Sequence, residues 1–540
     1  MAFLSSSPSS SICRVSISLL LVYIIAVSRL FPVQAHGLLK TLSRLIELPS
    51  EVSDSKEDHN VRRSDFPSGF LIGAATSALQ TEGSTKTGKR SPSVWEHFIK
   101  KYPDRVVDRS DFQTGIDSYR RYKEDIEALK DIGADAYRFS ISWTRIFPNG
   151  SFSGGINLEG IDHYNRIIDM LVEYGIKPFV TLLHFDLPQS LEEKYGGFLS
   201  NTIVNDFRDY CELCFRTFGD RVKNWITINE PLTIVEPGYD LGLTAPGRCS
   251  KCSAGNSSTE PYIVNHNILL SHAAVAKLYK EKYQADQGGE IGLTVVGEYY
   301  EPYSEAPEDK AAQQRILDFK LGWYMEPLVY GDYPRIMRKL VKQRLPTFSW
   351  KEKKLVKGSF DFIGINYYTS SYAKSIPMDP KAPPMSFTCD MYVNSTETRN
   401  GNFIGPKAEG SSNIYVYPQG LQKVLEYVKQ RYQNPKIYVT ENGVTENRND
   451  SRGLVEALDD QHRINYIRQH LYRIQQAIKN GVNVQGYFYW SLFDSFEWLG
   501  GYTVRFGLYY IDYMDNLKRI PKLSALWLHD FMRGDKHQGY

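Results

Sequence analysis

Two glutamates end short apolar runs with the composition of β-strands. Glu230 closes the run WITINE at residues 225–230, and Glu441 lies in YVTENG at 438–443. Two carboxyl groups held about 5 to 5.5 Å apart cleave a glycosidic bond with retention, because one attacks the anomeric carbon while the other protonates the leaving oxygen. Each glutamate alone is equally compatible with a salt bridge at a strand end. The pair predicts a retaining glycosidase with Glu230 as acid/base and Glu441 as nucleophile.

Hydrogen-bonding and aromatic side chains lie in or just after several such apolar runs. They are Gln80, Arg138, His184, Asn229, Asn366 and Trp490. A sugar presents hydroxyls that need paired donors and acceptors, and a weakly apolar ring face that packs on an indole ring. His184 and Trp490 could instead be core residues that only pack against their neighbours, without binding a ligand. The set as a whole favours a carbohydrate site.

The elements that would position these residues alternate between two kinds. Short apolar runs occur at 70–76, 135–142, 177–184, 224–230, 290–297, 360–368, 436–443 and 484–492. Amphipathic stretches typical of helices separate them, at 115–132, 160–174, 204–218, 262–283 and 461–480. Parallel strands need a crossover of this size, and eight strand–helix units favour closure into a barrel. The sequence therefore predicts an α/β fold, a single-domain (β/α)8 TIM barrel, whose strand ends gather the polar residues in one site.

The segments around Glu230 and Glu441 resemble the acid/base and nucleophile signatures of glycoside hydrolase family 1. The resemblance extends from about Asp65 to Arg533 and includes GAATSALQTEG at 73–83. It implies that sugar hydroxyls are bound by Gln80, His184, Asn229, Glu497 and Trp498, that Trp490 supplies a stacking face, and that Arg138, Asn366 and Tyr368 surround the nucleophile. An arginine beside Glu441 would keep it ionised, whereas the acid needs a pKa raised by burial and by the charge of Glu441. No cofactor or metal ion is expected.

Two positions indicate the kind of substrate. The resemblance implies that plant relatives cleaving sulfur glycosides carry Gln in place of the acid/base Glu, so Glu230 favours an oxygen glycoside. Asn413, just before IYVYP at 414–418, stands where many relatives carry a Trp that flanks the leaving group. The expected reaction is release of terminal non-reducing β-D-glucose from small O-glycosides of the plant secondary-metabolite type, with galactose and fucose left open. The leaving group is expected to be bulkier or more polar than a flat phenol.

Other functions are compatible with parts of this pattern. A transglucosidase would use the same glycosyl-enzyme intermediate but transfer the sugar to an acceptor alcohol. A non-sugar hydrolase related to the plant urate-pathway enzyme would keep both carboxylates, but the hydroxyl-binding residues Gln80, His184 and Glu497 argue against it. A non-catalytic sugar-binding protein would be expected to have lost one of the two glutamates.

The whole chain suggests a secreted protein without a polyanionic partner. Its 540 residues carry 64 Lys and Arg against 62 Asp and Glu, a formal net charge of +2, which gives no electrostatic reason to expect nucleic-acid binding. Arg14 and the apolar run 15–27 predict a cleaved secretory signal at 1–35, since the run is shorter than the ~20 residues of a membrane span. A poorly ordered arm at 36–64, the barrel at 65–533 and a tail at 534–540 are expected to follow. The tail has no KDEL-type ending, which favours the apoplast or the vacuole, without membrane attachment after signal removal.

Cysteine and asparagine patterns agree with an oxidising secretory route. Cys249 and Cys252 flank two residues in a Gly/Ser-rich loop, where a disulfide is preferred over a metal or redox pair because no second Cys pair or His cluster accompanies them. N-glycosylation sequons begin at Asn149, Asn256, Asn394 and Asn449. The expected partner is a small-molecule β-glycoside, and no pattern in the sequence indicates an oligomeric state.

Overall fold

The structure, a computed structural model, describes residues 60–534 except 86, 380–382, 384 and 412. The predicted secretory signal (1–35), most of the predicted arm (36–59) and the tail from 535 lie outside the described residues. Two residues near the predicted boundary at Asp65 contact the barrel. Val61 is buried, and Arg63 donates to the carbonyl oxygen of Phe70 at 2.7 Å and to Asp135 at 3.2 Å. Packing against the barrel therefore begins a few residues before Asp65.

Eight parallel strands form a closed barrel. They are β1 (Leu71–Ala75), β2 (Ala136–Ser140), β3 (Lys177–Leu183), β4 (Asn224–Asn229), β5 (Glu290–Val296), β6 (Phe362–Asn366), β7 (Ile437–Asn442) and β8 (Val484–Trp490). Each strand pairs with its neighbours in chain order, and β8 closes the barrel onto β1, with Trp490 opposite Ala75. The TIM barrel prediction is confirmed. The observed strands are up to two residues shorter at each end than the predicted runs.

Aromatic side chains from four strands fill the interior of the barrel. The ring of Phe179 lies 4.8 Å from that of Phe488 and 5.1 Å from that of Tyr438, which in turn lies 5.1 Å from Phe362, measured between centroids. Gly73 on β1 allows the close approach of β2, because a Cβ atom there would meet the carbonyl oxygen of Ala136 at 2.0 Å. This apolar layer forms a floor for the polar side chains nearer the carboxyl ends of the strands.

Amphipathic helices cover the outside of the barrel. The five helices predicted from periodicity are Ser118–Asp131, Leu158–Glu173, Ile203–Phe218, Glu260–Lys282 and Gln461–Lys479. Other α-helices in the described part are Ala78–Thr81, Val94–Lys101, Trp143–Ile146, Gln189–Tyr195, Pro231–Val235, Gln284–Gln287, Pro307–Leu317, Trp323–Tyr330, Arg335–Val341, Trp350–Val356, Phe387–Asp390, Pro418–Arg431, Leu454–Leu458 and Leu523–Arg533, with π-helical turns at Glu236–Asp240 and Asp318–Gly322. In Ile203–Phe218 the residues Phe207, Tyr210 and Cys214 are buried at the spacing of one helical face. None of the described helices is long and apolar enough to cross a membrane.

Short accessory strands lie in the loops that follow the carboxyl ends of β5 to β8. They form a three-stranded sheet of Tyr299–Pro302, Ser370–Ser375 and Val393–Thr396, and the pairs Thr398–Arg399 with Asn402–Phe403, Glu446–Asn447 with Val504–Arg505, and Tyr509–Asp512 with Lys518–Pro521. These strands were not predicted, because runs of two to six residues show no measurable periodicity. They lie on the side of the barrel where the polar strand ends meet.

The predicted disulfide and the sequon asparagines Asn149, Asn256 and Asn449 lie in loops, whereas Asn394 lies in the accessory strand Val393–Thr396. Cys249 and Cys252 are joined by a disulfide, and their loop is also held by reciprocal hydrogen bonds of 2.9 Å between Ser250 and Ser257. The sequon asparagines are all exposed, as attachment of a glycan requires: Asn149, Asn256, Asn394 and Asn449. Glycosylation at these four positions stays a prediction.

Candidate active site

The two candidate glutamates lie at the carboxyl ends of β4 and β7. Glu230 directly follows β4 and has a left-handed backbone conformation, with φ 40° and ψ 67°, that turns the chain into the helix Pro231–Val235. Glu441 lies on β7 opposite Asn366, the last residue of β6. Both carboxyl groups are therefore placed by the ends of barrel strands, which position a side chain more precisely than a loop does.

Glu441 is held by a cation and a phenol. The Nη1 group of Arg138 donates to Oε1 of Glu441, and the Tyr368 hydroxyl donates to Oε2 at 2.6 Å. Arg138 and Glu441 are both buried, so a charge-assisted bond between them is shielded from water. Both carboxyl oxygens of Glu441 act as hydrogen-bond acceptors, the state required of a nucleophile.

Glu230 has neutral hydrogen-bond donors instead of a cation. Asn366 Nδ2 donates to Oε1 at 2.8 Å, and the Thr233 hydroxyl donates to Oε2 at 2.6 Å. Burial, together with the negative charge of Glu441, raises the pKa of Glu230 to about 7. This is the direction that the sequence analysis expected for a residue that must begin protonated.

A chain of hydrogen bonds links the two glutamates. Arg138 Nη2 donates to Asn229 Oδ1 at 2.6 Å, and the same oxygen accepts from Asn366 Nδ2 at 3.1 Å. Asn366 also bonds Glu230, and Arg138 also bonds Glu441, so three side chains connect one carboxyl group to the other. A shift of one carboxyl group is therefore resisted through the bonds that hold the other.

Gln80 and Glu497 form a second polar pair near the strand ends. Gln80 Nε2 donates to the carbonyl oxygen of Phe496 at 2.8 Å and to Glu497 Oε2 at 3.3 Å, while Ser77 donates to Gln80 Oε1 at 2.8 Å. Burial raises the pKa of Glu497 well above its usual range. These neighbours fix the amide and carboxyl orientations, as recognition of sugar hydroxyls in fixed positions requires.

Three rings form a stacked wall next to this pair. The His184 ring is 5.6 Å from Trp490 at an interplanar angle of 11°, and 6.2 Å from Trp498 at 2°. Burial, with the charge of Arg138, lowers the pKa of His184 well below its usual value, so its ring is neutral. Within the described part of the chain Nδ1 of His184 has no hydrogen-bond partner, which leaves it available to a ligand hydroxyl. Trp490 is buried and Trp498 half-buried.

A salt-bridge network buried behind the site holds the segment that carries Glu497. Lys522 Nζ donates to Glu446 at 2.6 Å and to Asp494 at 3.0 Å, and Arg505 bonds Asp494 at 2.6 Å. Asp494 in turn accepts from the backbone N–H of Gly507 at 2.9 Å. Through Lys522, the network connects the loop after β8 to the segment just before the helix Leu523–Arg533, and it fixes the position of that loop.

Asn413 lies apart from the two glutamates. It is exposed, and its side-chain oxygen accepts from the Ser411 hydroxyl at 3.1 Å. Its neighbour Ile414 instead packs against the apolar cluster that contains Trp490 and Phe506. The structure thus brings the next residue along the chain to the strand ends, and Asn413 lies at the edge of this region.

Some residues of the site were not singled out from the sequence. Thr233 was missed, although a hydroxyl three residues after a strand-end Glu at a helix start is a recognisable spacing. Trp95 packs on Trp498, with the ring centroids 4.7 Å apart. No pattern in the sequence predicts the contact between Trp95 and Trp498, because the contact depends on the path of the loop after β8 that carries Trp498.

Comparison with known proteins gives one consistent result. The family profile described as glycosyl hydrolase family 1 matches residues 62–537. The chain is 53% identical over 488 residues to Beta-glucosidase 24 of Oryza sativa subsp. japonica, covering 89% of this chain and 96% of that protein. It is 52% identical over 474 residues to Furostanol glycoside 26-O-beta-glucosidase of Hellenia speciosa, covering 87% and 84%. The crystal structure of the rice Os3BGlu6 beta-glucosidase is similar, with a TM-score of 0.85, 45% identity and coverage of 87% and 99%, and a mutant of that enzyme was solved in a covalent complex with Glc.

Proposed function

Because the chain belongs to glycosyl hydrolase family 1 and is a retaining β-glucosidase, we propose that Glu441 is its nucleophile and Glu230 its acid/base. The observation that carries this assignment is the contrast between the two carboxyl groups. Glu441 accepts from the cation of Arg138, whereas Glu230 accepts from neutral donors and has a pKa raised to about 7. A double displacement requires one carboxyl group that attacks the anomeric carbon and a second that begins protonated.

In the first step, a carboxylate oxygen of Glu441 bonds to the anomeric carbon while the bond to the leaving oxygen breaks. The proton of Glu230 moves to that leaving oxygen, which departs as a neutral alcohol. Esterification removes the negative charge of Glu441, so a cause of the raised pKa of Glu230 disappears. Glu230 then acts as a base and takes a proton from water, whose oxygen displaces Glu441 and restores the enzyme.

The sugar is proposed to bind between the Gln80–Glu497 pair and the ring wall of His184, Trp490 and Trp498. Gln80 and Glu497 offer an amide and a carboxyl group already oriented by neighbours, and His184 offers a neutral ring nitrogen. The indole of Trp490 provides the apolar face on which a pyranose ring packs. Asn229, held by Arg138, completes the set of hydroxyl partners.

The substrate class is proposed to be small O-glucosides of plant secondary metabolites. The Hellenia relative is named for a furostanol glycoside, and a relative from Rauvolfia serpentina at 48% identity is named for raucaffricine, so related enzymes are named for particular glycosides. At Asn413 the edge of the site has a small polar side chain. A leaving group larger or more polar than a flat phenol fits that edge.

The alternatives to hydrolysis are not favoured. The similar proteins named above are β-glucosidases, and both glutamates and the sugar-binding residue types are present. This argues against a non-catalytic sugar-binding protein and against an enzyme for non-sugar substrates. A transglucosidase would share the intermediate, and adding an alcohol to the assay and analysing the products separates transfer from hydrolysis.

The proposal is tested by the stereochemistry of the product and by removal of the nucleophile. Proton NMR should detect β-D-glucose as the first product of an aryl β-glucoside. Glu441→Ala should lose at least about four decades of kcat, and azide should restore turnover with formation of the α-glucosyl azide. Early appearance of α-glucose from the unaltered enzyme, or wild-type-like activity of Glu441→Ala, would contradict the assignment.

We also propose that the chain enters the secretory pathway and reaches the apoplast or the vacuole. The apolar segment within 1–35, the exposed sequons and the disulfide of Cys249 and Cys252 support this route. Expression in plant cells should give a mature protein that begins near residue 36 and becomes smaller after glycosidase treatment. An intact N-terminus without glycans would rule the route out.

A further inference from the structure

A second surface with unusual chemistry lies at the opposite end of the barrel from the candidate site. It is a groove between the last turns of the helix Glu260–Lys282, the helix Trp350–Val356 and the segment 357–359, and we call it the lysine–tryptophan groove. Residues 357–359 lead into the amino end of β6, whereas Glu230 and Glu441 lie at carboxyl ends of strands. The groove is therefore separate from the residues that act on the glucoside.

The groove carries more positive charge than its acidic neighbours balance. Five lysines line it, Lys277, Lys280, Lys351, Lys354 and Lys357, and Glu281 is the one acidic residue among its described lining residues. Two of the lysines form ion pairs. The Nζ atom of Lys280 lies 2.7 Å from Oδ1 of Asp361, and the Nζ atom of Lys277 lies 3.7 Å from Oε1 of Glu281. The other three are exposed, and no acidic residue in the described part of the chain forms an ion pair with them.

Helix electrostatics do not account for all of these lysines. A cation in the last turn of a helix is favoured by the helix dipole, which explains Lys280 and Lys354. Lys351 instead lies in the first turn of Trp350–Val356, where a cation is disfavoured. Lys357 follows the helix end and is exposed. A ligand with negative charge would explain the concentration of cations on both sides of this short helix.

Trp350 adds an aromatic surface to the same groove. The residue is 68% exposed, so its indole ring is accessible to a ligand. The ammonium of Lys354 lies over the ring, 3.8 Å from its centroid, so it covers one face of the indole and a ligand ring would pack on the other face. A pyranose ring packs on an indole, and a carboxylate on that ring would reach the neighbouring ammonium groups.

We propose that the lysine–tryptophan groove binds an acidic polysaccharide, a chain of uronate sugars. The sugar ring packs on Trp350, and successive carboxylates pair with Lys351, Lys354 and Lys357. A groove suits an extended polymer better than a flat bilayer, because a bilayer would be contacted only by the rim. Binding at this end leaves the carboxyl ends of the strands open, so the bound enzyme still meets small glucosides.

Affinity electrophoresis of the full-length enzyme in unesterified polygalacturonate tests the proposal, with the fully methyl-esterified polymer as the neutral comparison. The enzyme should be retarded by the acidic polymer alone, and raising NaCl from about 50 to about 500 mM should remove most of the retardation. Trp350→Ala and Lys351→Gln/Lys354→Gln/Lys357→Gln should each weaken binding by about fivefold or more. All variants should keep the kcat/KM for a small aryl glucoside.

The matched control removes three exposed lysines that lie outside the groove. Lys123→Gln/Lys177→Gln/Lys518→Gln has the same change in net charge and should bind the acidic polymer within about twofold of the unaltered enzyme. Equal weakening in this control would show a general charge effect and overturn the proposal. So would unchanged binding in the groove variants, equal retardation by the esterified polymer, or groove-dependent binding to phosphatidylserine vesicles without binding to the polymer.

Discussion

The hydroxyl of Thr233 donates a hydrogen bond of 2.6 Å to Oε2 of Glu230. Burial and the negative charge of Glu441 raise the pKa of Glu230 to about 7, and this hydrogen bond works in the opposite direction because it stabilises the carboxylate. Thr233 is therefore a positioning residue that limits the shift. The acid/base residue has a pKa close to neutrality because burial and the charge of Glu441 outweigh the hydrogen bonds that stabilise its carboxylate.

Thr233→Val should move the alkaline limb of the kcat/KM profile upward. The free enzyme is active with Glu230 protonated, so activity falls as the pH rises through its pKa. Loss of a donor to the carboxylate raises that pKa further, and a hydrogen bond of about 0.5 to 1.5 kcal/mol corresponds to about 0.4 to 1.1 pH units. Thr233→Ser, which keeps the hydroxyl, should leave the limb in place. A shift with Ser equal to that with Val would assign the effect to packing instead.

Glu230→Gln should affect substrates according to their leaving groups. Alkyl glucosides need the proton of the acid, so their kcat/KM should fall by about two to four decades. A 2,4-dinitrophenyl glucoside needs no proton in the first step and should accumulate the glycosyl-enzyme, which azide then releases. The measurements are kcat/KM for each substrate and the burst of product that accompanies accumulation of the glycosyl-enzyme. Equal losses for both would show that Glu230 is not the acid.

Lys522→Met should destabilise the fold by about 3 to 5 kcal/mol, because the buried carboxylates of Glu446 and Asp494 lose a shared cation. Burial opposes ionisation, but the charges of Lys522 and Arg463 hold the pKa of Glu446 well below its usual range. A depressed pKa stabilises the fold above the carboxyl's ordinary pKa, and this stabilisation is lost as the pH falls. Urea unfolding of the unaltered enzyme should therefore show falling stability below about pH 4.5, with a smaller fall in the variant. A change below ~1 kcal/mol at neutral pH, no greater than for Lys123→Met on the surface, would contradict this role.

The sequence contains enough to predict the barrel and the pair of glutamates. Buried strands in a parallel barrel are continuous apolar runs, so each of the eight was visible, and Glu230 and Glu441 were visible because they end two of them. Thr233 was not predicted, since its role depends on the left-handed turn at Glu230 that aims its hydroxyl back at the carboxyl group. The contact of Ile414 with the Trp490 cluster depends on a loop whose path has no periodic pattern.

At the edge of the site, the sequence points to Asn413 as the residue next to the leaving group, whereas the structure places its neighbour Ile414 nearer to the strand ends. The sequence marks Asn413 by the absence of a Trp common in relatives. The structure places Asn413 in an exposed position bonded to Ser411 and packs Ile414 against the Trp490 cluster. The nearby Tyr415 is buried beneath Phe403, with ring centroids 5.2 Å apart, so Phe403 presents the exposed aromatic surface of this loop. A new aromatic side chain at 413 would enlarge that surface at the outer edge.

Asn413→Trp should therefore change the leaving-group side and leave the sugar side alone. A planar indole adds about 1 to 3 kcal/mol of stacking with a flat aglycone, so kcat/KM for planar aryl glucosides should rise. The Ki of a glucose-only inhibitor should change by less than about threefold, because the sugar's proposed partners lie on other segments of the chain. Asn413→Ala breaks the bond to Ser411 without adding a ring, and it separates a loop effect from stacking. If Ala raises kcat/KM as much as Trp does, or if the inhibitor Ki shifts strongly in the Trp variant, then Asn413 does not act on the aglycone, and Ile414 and Phe403 define that edge instead.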